Sequence, residues 1–194
     1  DWYRFDLVFP PLLSVEQASS AETARFKAGL FSGVSMADLT GGMGVDAWYF
    51  AQQFEKVNYV EQNPELVRLV QHNFDVLGAS NINSRQAKTE IFLKENQEHF
   101  DLIYLDPGRR DQQQKRLFHL SDCQPNILEI KDQLLRAADR VLLKTAPMLD
   151  LNVAVAALET VSRIWVVSVD NECKELLYLL EKSVKATTTS HAAF

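Results

Sequence analysis

The residues with the clearest chemical use stand at the ends of short apolar runs. Asp38-Leu-Thr-Gly-Gly-Met-Gly44 follows the first of them. Gly41, Gly42 and Gly44 permit a tight turn and close backbone approach by a ligand. The helix expected from Val45 turns free N–H groups toward an anionic part of that ligand, a carboxylate or a phosphate. Gly42-Met-Gly-Val-Asp-Ala47 also satisfies the dinucleotide pattern G-x-G-x-x-G/A. Glu61 closes the next apolar run, where a carboxylate can accept from both hydroxyls of a ribose. Together these features point to an adenosine-containing ligand rather than a structural loop. Asp38 discriminates between two such ligands: a carboxylate beside the turn repels a pyrophosphate and attracts an ammonium group. That favours S-adenosylmethionine over NAD.

A second group lies further along. Asp106-Pro-Gly-Arg-Arg-Asp111 places Asp106 at a strand end, with rigid Pro107 and permissive Gly108 shaping the turn. A strand-end cap is the competing reading of Asp106. Arg109, Arg110, Lys115 and Arg116 stand against Asp111 alone, a local excess of three positive charges. Such a run forms either a solvated surface or a lip that contacts phosphates. Lys144-Thr-Ala-Pro147 ends another strand and borders a substrate site, or makes only a strand-to-loop turn. Cys123 reads as a buried, inert thiol rather than a nucleophile. His72, His99 and His119 share no ligand or triad spacing, so no metal is expected.

Positioning these groups requires alternating strands and helices. Apolar runs predict strands at 34–39, 57–61, 82–86, 102–105, 141–145 and 164–169, and helices at 45–54, 64–77, 127–138 and 150–161. Asn63-Pro64 supplies a cap and a first-turn proline, and Gly78 a stop. Residues 172–180 fit strand or helix by pattern. Ahead of these, Pro10-Pro11 ends an extended segment. Ser14-Val-Glu-Gln17 and Ser19-Ser-Ala-Glu22 have capping-box spacing, predicting one or two helices before Gly33. The class is α/β, doubly wound and mostly parallel with helices on both faces. The expected division is a helical extension at 1–32, a cofactor-binding domain at 33–182 and a polar tail at 183–194.

Length and composition agree with this. A chain of 194 residues, 46% hydrophobic and 24% charged, is one ordinary globular domain and neither fibre nor disordered chain. Its 20 Lys+Arg against 26 Asp+Glu leave a charge of −6, so any nucleic-acid contact must be local. Two isolated cysteines fit a reducing cytoplasm, and no apolar run reaches the roughly 18 residues a membrane span needs. A chain that opens on Asp1 and closes on a polar run is expected to be a piece of a longer protein, with further N- or C-terminal domains.

The glycine motif, Glu61 and Asp106-Pro107 resemble, in order and spacing, the class I S-adenosylmethionine-dependent methyltransferases. More narrowly, Asp38 to Asp46, Tyr59-Val-Glu-Gln-Asn63, Asp106 to Asp111, Asp122-Cys-Gln-Pro-Asn126 and Leu142 to Asp150 look like the bacterial methyltransferase-like proteins that carry a THUMP-like domain, relatives of RNA methyltransferases. The resemblance spans about residues 10–180. It implies a Rossmann-like sheet of seven strands with the last antiparallel, which makes 172–180 a strand. It implies that Asp38, Thr40, Gly41, Gly42 and Gly44 surround the methionine end of S-adenosylmethionine, and that Glu61 and Gln62 hold the ribose and the adenine edge. Where relatives place an acid for the adenine amino group, this chain has Ala87-Lys88-Thr89, and a lysine cannot accept that bond.

Asp106 would serve as both cofactor neighbour and catalytic acceptor for a target amine, with Pro107, Arg109, Arg110 and Lys144 on the substrate side. Gly108 and Arg109 replace the second proline and the aromatic of amine-methylating relatives, and an arginine plane can stack on a base instead. The expected activity is methyl transfer to an RNA base, in rRNA or tRNA. The alternatives are a cofactor- or RNA-binding module without activity and an NAD-dependent oxidoreductase.

Overall fold

The computed structural model describes residues 6–10, 18–109, 120–183 and 188–194; for Arg109 it describes the backbone alone. The Ser14-Val-Glu-Gln17 capping box, Arg110, Lys115, Arg116 and His119 lie outside the described residues. The chain divides into two compact units, one formed by residues 1–96 with 100–102, the other by 97–99 with 103–194.

The first unit contains helix α1 (Ala21–Gly29), strand β1 (Gly33–Asp38), helix α2 (Val45–Phe50), strand β2 (Phe54–Glu61), helix α3 (Pro64–Val76), strand β3 (Ile82–Gln86), helix α4 (Thr89–Glu95) and the first half of strand β4 (Phe100–Leu105). β1 pairs with β2 and β2 with β3, both parallel. Parallel pairs need both faces covered, and the consecutive buried residues lie toward the carboxyl ends of β1 and β2. Met36, Ala37, Val57, Tyr59 and Val60 are fully buried on them. α3 begins as its sequence demands: the Asn63 side chain accepts from the Glu65 and Leu66 amides at 2.9 and 3.4 Å, and Pro64 fills the first turn. Its buried stripe is Val70, Asn73 and Phe74. α1 is capped by Ser20, whose hydroxyl accepts from the Thr23 amide at 3.3 Å, one residue later than the Ser19 capping box predicts.

The second unit holds the rest of β4, a two-stranded ribbon of β5 (Gly108–Arg109) and β6 (Cys123–Gln124), helix α5 (Ile127–Ala137), strand β7 (Ala138–Thr145), helix α6 (Leu151–Leu158) and strands β8 (Val161–Val169), β9 (Glu172–Glu181) and β10 (Thr188–Ala193). The order here is β10-β8-β9-β7-β4. β9 runs antiparallel to both β7 and β8, so residues 172–180 do form a strand. α5 and α6 start on side-chain caps from Asn126 and Asp150.

The α/β Rossmann-like class holds, with a sheet of eight strands instead of seven. The extra strand is β10, drawn from the polar run, which pairs parallel with β8 and takes its order from backbone hydrogen bonds rather than apolar burial. α4 is an element the apolar pattern does not announce. Seven residues long, it buries only Thr89, Phe92 and Leu93, too short a stripe to show a helical period.

Candidate cofactor and acceptor sites

In the first unit the glycine loop is built against the end of β2. Gly41 donates to the Val60 carbonyl at 2.9 Å and Gly44 to the Gly41 carbonyl at 2.8 Å. A Cβ on Gly41 would lie 2.1 Å from the Tyr59 ring, so no side chain fits there. Gly42 and Gly44 have φ of +50° and +75°, a region glycine enters at little cost. The Tyr59 hydroxyl donates to the Gly42 carbonyl at 2.6 Å. Burial, reinforced by the Glu61 and Asp38 charges, pushes the Tyr59 phenol well above its ordinary range, so it stays a neutral donor.

Glu61 is joined to the same loop. Its Oε2 accepts from the Gly42 amide at 3.1 Å and its Oε1 from the Asn63 amide at 2.8 Å. Two amides thus orient a half-exposed carboxylate that has lone pairs left for hydroxyl donors. Asp38 is 1% exposed and its Oδ1 accepts from the Thr40 amide at 3.1 Å, which places its negative charge under the turn. Beyond Glu61, Gln62, Asn63, Gln86, Ala87, Lys88 and Ile91 line an open groove of about 690 Å³. That volume is in the range of small-ligand pockets. The sequence-predicted Asp38, Thr40, Gly41, Gly42, Gly44, Glu61, Gln62, Ala87 and Lys88 are therefore brought together within one unit.

Several participants carry no motif of their own. Gln86 ends β3, and its amide nitrogen donates to the Gln62 carbonyl at 3.2 Å, setting a polar side chain in the groove beside Lys88. The Thr89 hydroxyl donates to the Leu39 carbonyl at 2.7 Å and ties α4 to the loop. Asp46, inside the glycine motif, is ion-paired at 3.1 Å to the wholly buried Lys27 of α1. Ser19 lies between them, accepting from Lys27 Nζ at 2.9 Å and donating to Asp46 Oδ2 at 2.8 Å. Only the packing of two helices reveals that cluster.

In the second unit Asp106 follows β4 and is ion-paired through Oδ2 with Lys144 of β7. Pro107 is buried behind it. Asp106 and Lys144, separately chosen from the sequence, are one charge pair at the carboxyl ends of two strands. Cys123 is fully buried, as expected of an inert thiol. The side chains of Arg109 and Arg110 lie outside what is described.

Residues 29–163 match the family described as Conserved hypothetical protein 95. The chain belongs to that family. Among solved structures, it is similar to a “putative methyltransferase” from Porphyromonas gingivalis W83, with 30% identity and a TM-score of 0.82 over 91% of this chain and 44% of that one. The chain therefore spans less than half the length of that protein. An rRNA methylase from Streptococcus thermophilus matches with 16% identity and a TM-score of 0.59 over 83% of this chain and 94% of that one. TrmK of M. capricolum, in complex with S-adenosylhomocysteine, matches with 13% identity and a TM-score of 0.63 over 85% and 69%. The last two likenesses speak to the fold alone. A comparison with curated proteins found no match. These relatives lend no support to the NAD-dependent oxidoreductase alternative, and the finer likeness to THUMP-like-domain proteins rests on the motifs. Among the described residues no helix is long and apolar enough to cross a membrane.

Proposed function

We propose that this family member transfers a methyl group from S-adenosylmethionine to RNA. One observation carries the reading: the Gly42 amide and the Glu61 carboxylate are locked together at 3.1 Å beside an open groove. In this reading Glu61, held by the Gly42 and Asn63 amides, is the acid that takes the ribose hydroxyls of an adenosine. Two of the similar structures add support, being an rRNA methylase and a protein holding S-adenosylhomocysteine.

The donor set suits this ligand. Asp38 offers a buried negative charge to an ammonium, Glu61 offers lone pairs to ribose hydroxyls, and the groove past Gln62, with the Gln86 amide and the backbone at Ala87 and Lys88, has room for a purine. When bound, S-adenosylmethionine supplies an electrophilic methyl group. The chain's own work is to hold the ligand through the loop and to orient the acceptor through Asp106, so that proximity and alignment lower the barrier. Pro107, Arg109, Arg110 and Lys144 stand on the acceptor side in this reading.

Calorimetric titration tests it. S-adenosylmethionine and S-adenosylhomocysteine should saturate the chain and NAD should not. Glu61→Ala should weaken both about tenfold or more, the loss of charged hydrogen bonds worth about 1.5–3 kcal/mol. Asp38→Ala should weaken them too, with circular dichroism confirming the fold. Binding of NAD in preference, or equal binding by Glu61→Ala, would refute the assignment.

A further inference from the structure

Gly42 is gripped by two side chains of a single strand. Its amide donates to Glu61 Oε2 at 3.1 Å, and its carbonyl accepts from the Tyr59 hydroxyl at 2.6 Å. Tyr59 and Glu61 stand two apart on β2, so both leave the strand on the same face. Packing alone would leave Gly42 loose. Glycine loses more conformational freedom on ordering than any other residue. Gly42 has a φ of +50°, and the nearest atom to an added Cβ is 3.7 Å away, so neighbouring atoms do little to restrain it. The Tyr59 ring, by contrast, is fixed. It is fully buried, meets Phe74 of α3 edge to face with 5.5 Å between ring centroids, and lies so close to Gly41 that no side chain fits there. Its hydroxyl is therefore presented from a rigid support.

We infer that Tyr59 is a positioning residue of the ligand site, which fixes Gly42 and through it the Glu61 carboxylate before a ligand arrives. This rests on the reading of Glu61 as the ribose acid and adds a residue that acts only through its neighbours. With both polar groups of Gly42 engaged, its φ and ψ are set in the free protein. A loop ordered in advance spends no free energy on ordering when the ligand binds, which raises affinity without a new contact. The Gly42 amide in turn holds Glu61 Oε2, leaving the carboxylate oriented with lone pairs for hydroxyl donors. Burial and the nearby Glu61 and Asp38 charges favour the neutral phenol, so Tyr59 donates to the loop and does not compete with Glu61 for its amide.

Two measurements on the full chain test this. The first is calorimetric titration with S-adenosylhomocysteine. Tyr59→Phe keeps the ring and removes the hydroxyl, and should weaken binding roughly three- to tenfold, the loss of one hydrogen bond. In a Glu61→Ala background the same change should alter affinity by less than about twofold, because the carboxylate it acts through is gone. Equal affinity of Tyr59→Phe and the parent chain overturns the inference. So does an undiminished loss in the Glu61→Ala background, which a general structural role would give. A parent chain that does not bind removes the methyl-donor reading and this role in binding with it. The second measurement needs no ligand and reads the restraint on Gly42 directly, by NMR-detected hydrogen exchange. In Tyr59→Phe the Gly42 amide should exchange roughly threefold faster or more, while the Gly41 amide, which donates to the Val60 carbonyl at 2.9 Å, keeps its rate. An unmoved rate at Gly42, or equal acceleration at both glycines, shows that Tyr59 does not fix Gly42.

Discussion

The glycines of the loop do different work, and substitution separates them. A Cβ on Gly44 would meet Val70 Cγ1 at 2.6 Å and Phe74 Cζ at 2.7 Å, at a φ of +75°. Gly42 has a φ of +50°, but the nearest atom to an added Cβ is the Thr40 carbonyl oxygen at 3.7 Å. Gly42→Ala therefore bears only the left-handed backbone cost, about 1–2 kcal/mol. Gly44→Ala adds overpacking against α3, about 1–3 kcal/mol more. Urea denaturation should place the Gly44→Ala midpoint clearly below that of Gly42→Ala, and the reverse order would refute this division of labour. Gly44 is thus a packing glycine under α3, while the space beside Gly42 is open to close approach by a ligand.

Between elements, the Lys27–Asp46 pair joins α1 to α2. Lys27 is 0% exposed, so Lys27→Met leaves the Asp46 charge buried without its cation and should cost about 3–5 kcal/mol. Lys27→Met with Asp46→Leu removes both charges and should recover most of that loss in chemical denaturation. A double variant no more stable than the single one would show that the pair is not what joins the helices. This cluster also marks where sequence reading stops. Strand ends were legible, because a polar residue after an apolar run stands out, and Asp38, Glu61, Asp106 and Lys144 all occur there. Contacts across the fold were not: Lys27 with Asp46 and Lys144 with Asp106 join residues far apart in sequence. Among the elements, β10 escaped because Thr188 to Ala193 carries no apolar alternation and is held by its pairing with β8. α4 escaped because Ile91 is exposed, which blurs its short buried stripe.

For the molecule as a whole, electrostatics opposes the proposed substrate. A net charge of −6 gives no general attraction to a phosphate polymer, so RNA affinity has to be concentrated in a local patch. The sequence offers one such concentration, Arg109, Arg110, Lys115 and Arg116 beside Asp111, directly after Asp106-Pro107-Gly108. Each phosphate neutralised by such a residue releases counterions and steepens the fall of log K with log salt by about 0.7 on single strands and about 0.9 on duplex. Replacing Arg109 and Arg110 together by Ala should therefore weaken RNA binding and flatten that slope by about 1.4–1.8, read by fluorescence anisotropy across a series of salt concentrations. A weaker affinity with an unchanged slope would mean that the arginines stack on bases rather than pair with phosphates. An unchanged affinity and slope together would make the run a solvated surface and move the RNA contact elsewhere on an acidic protein.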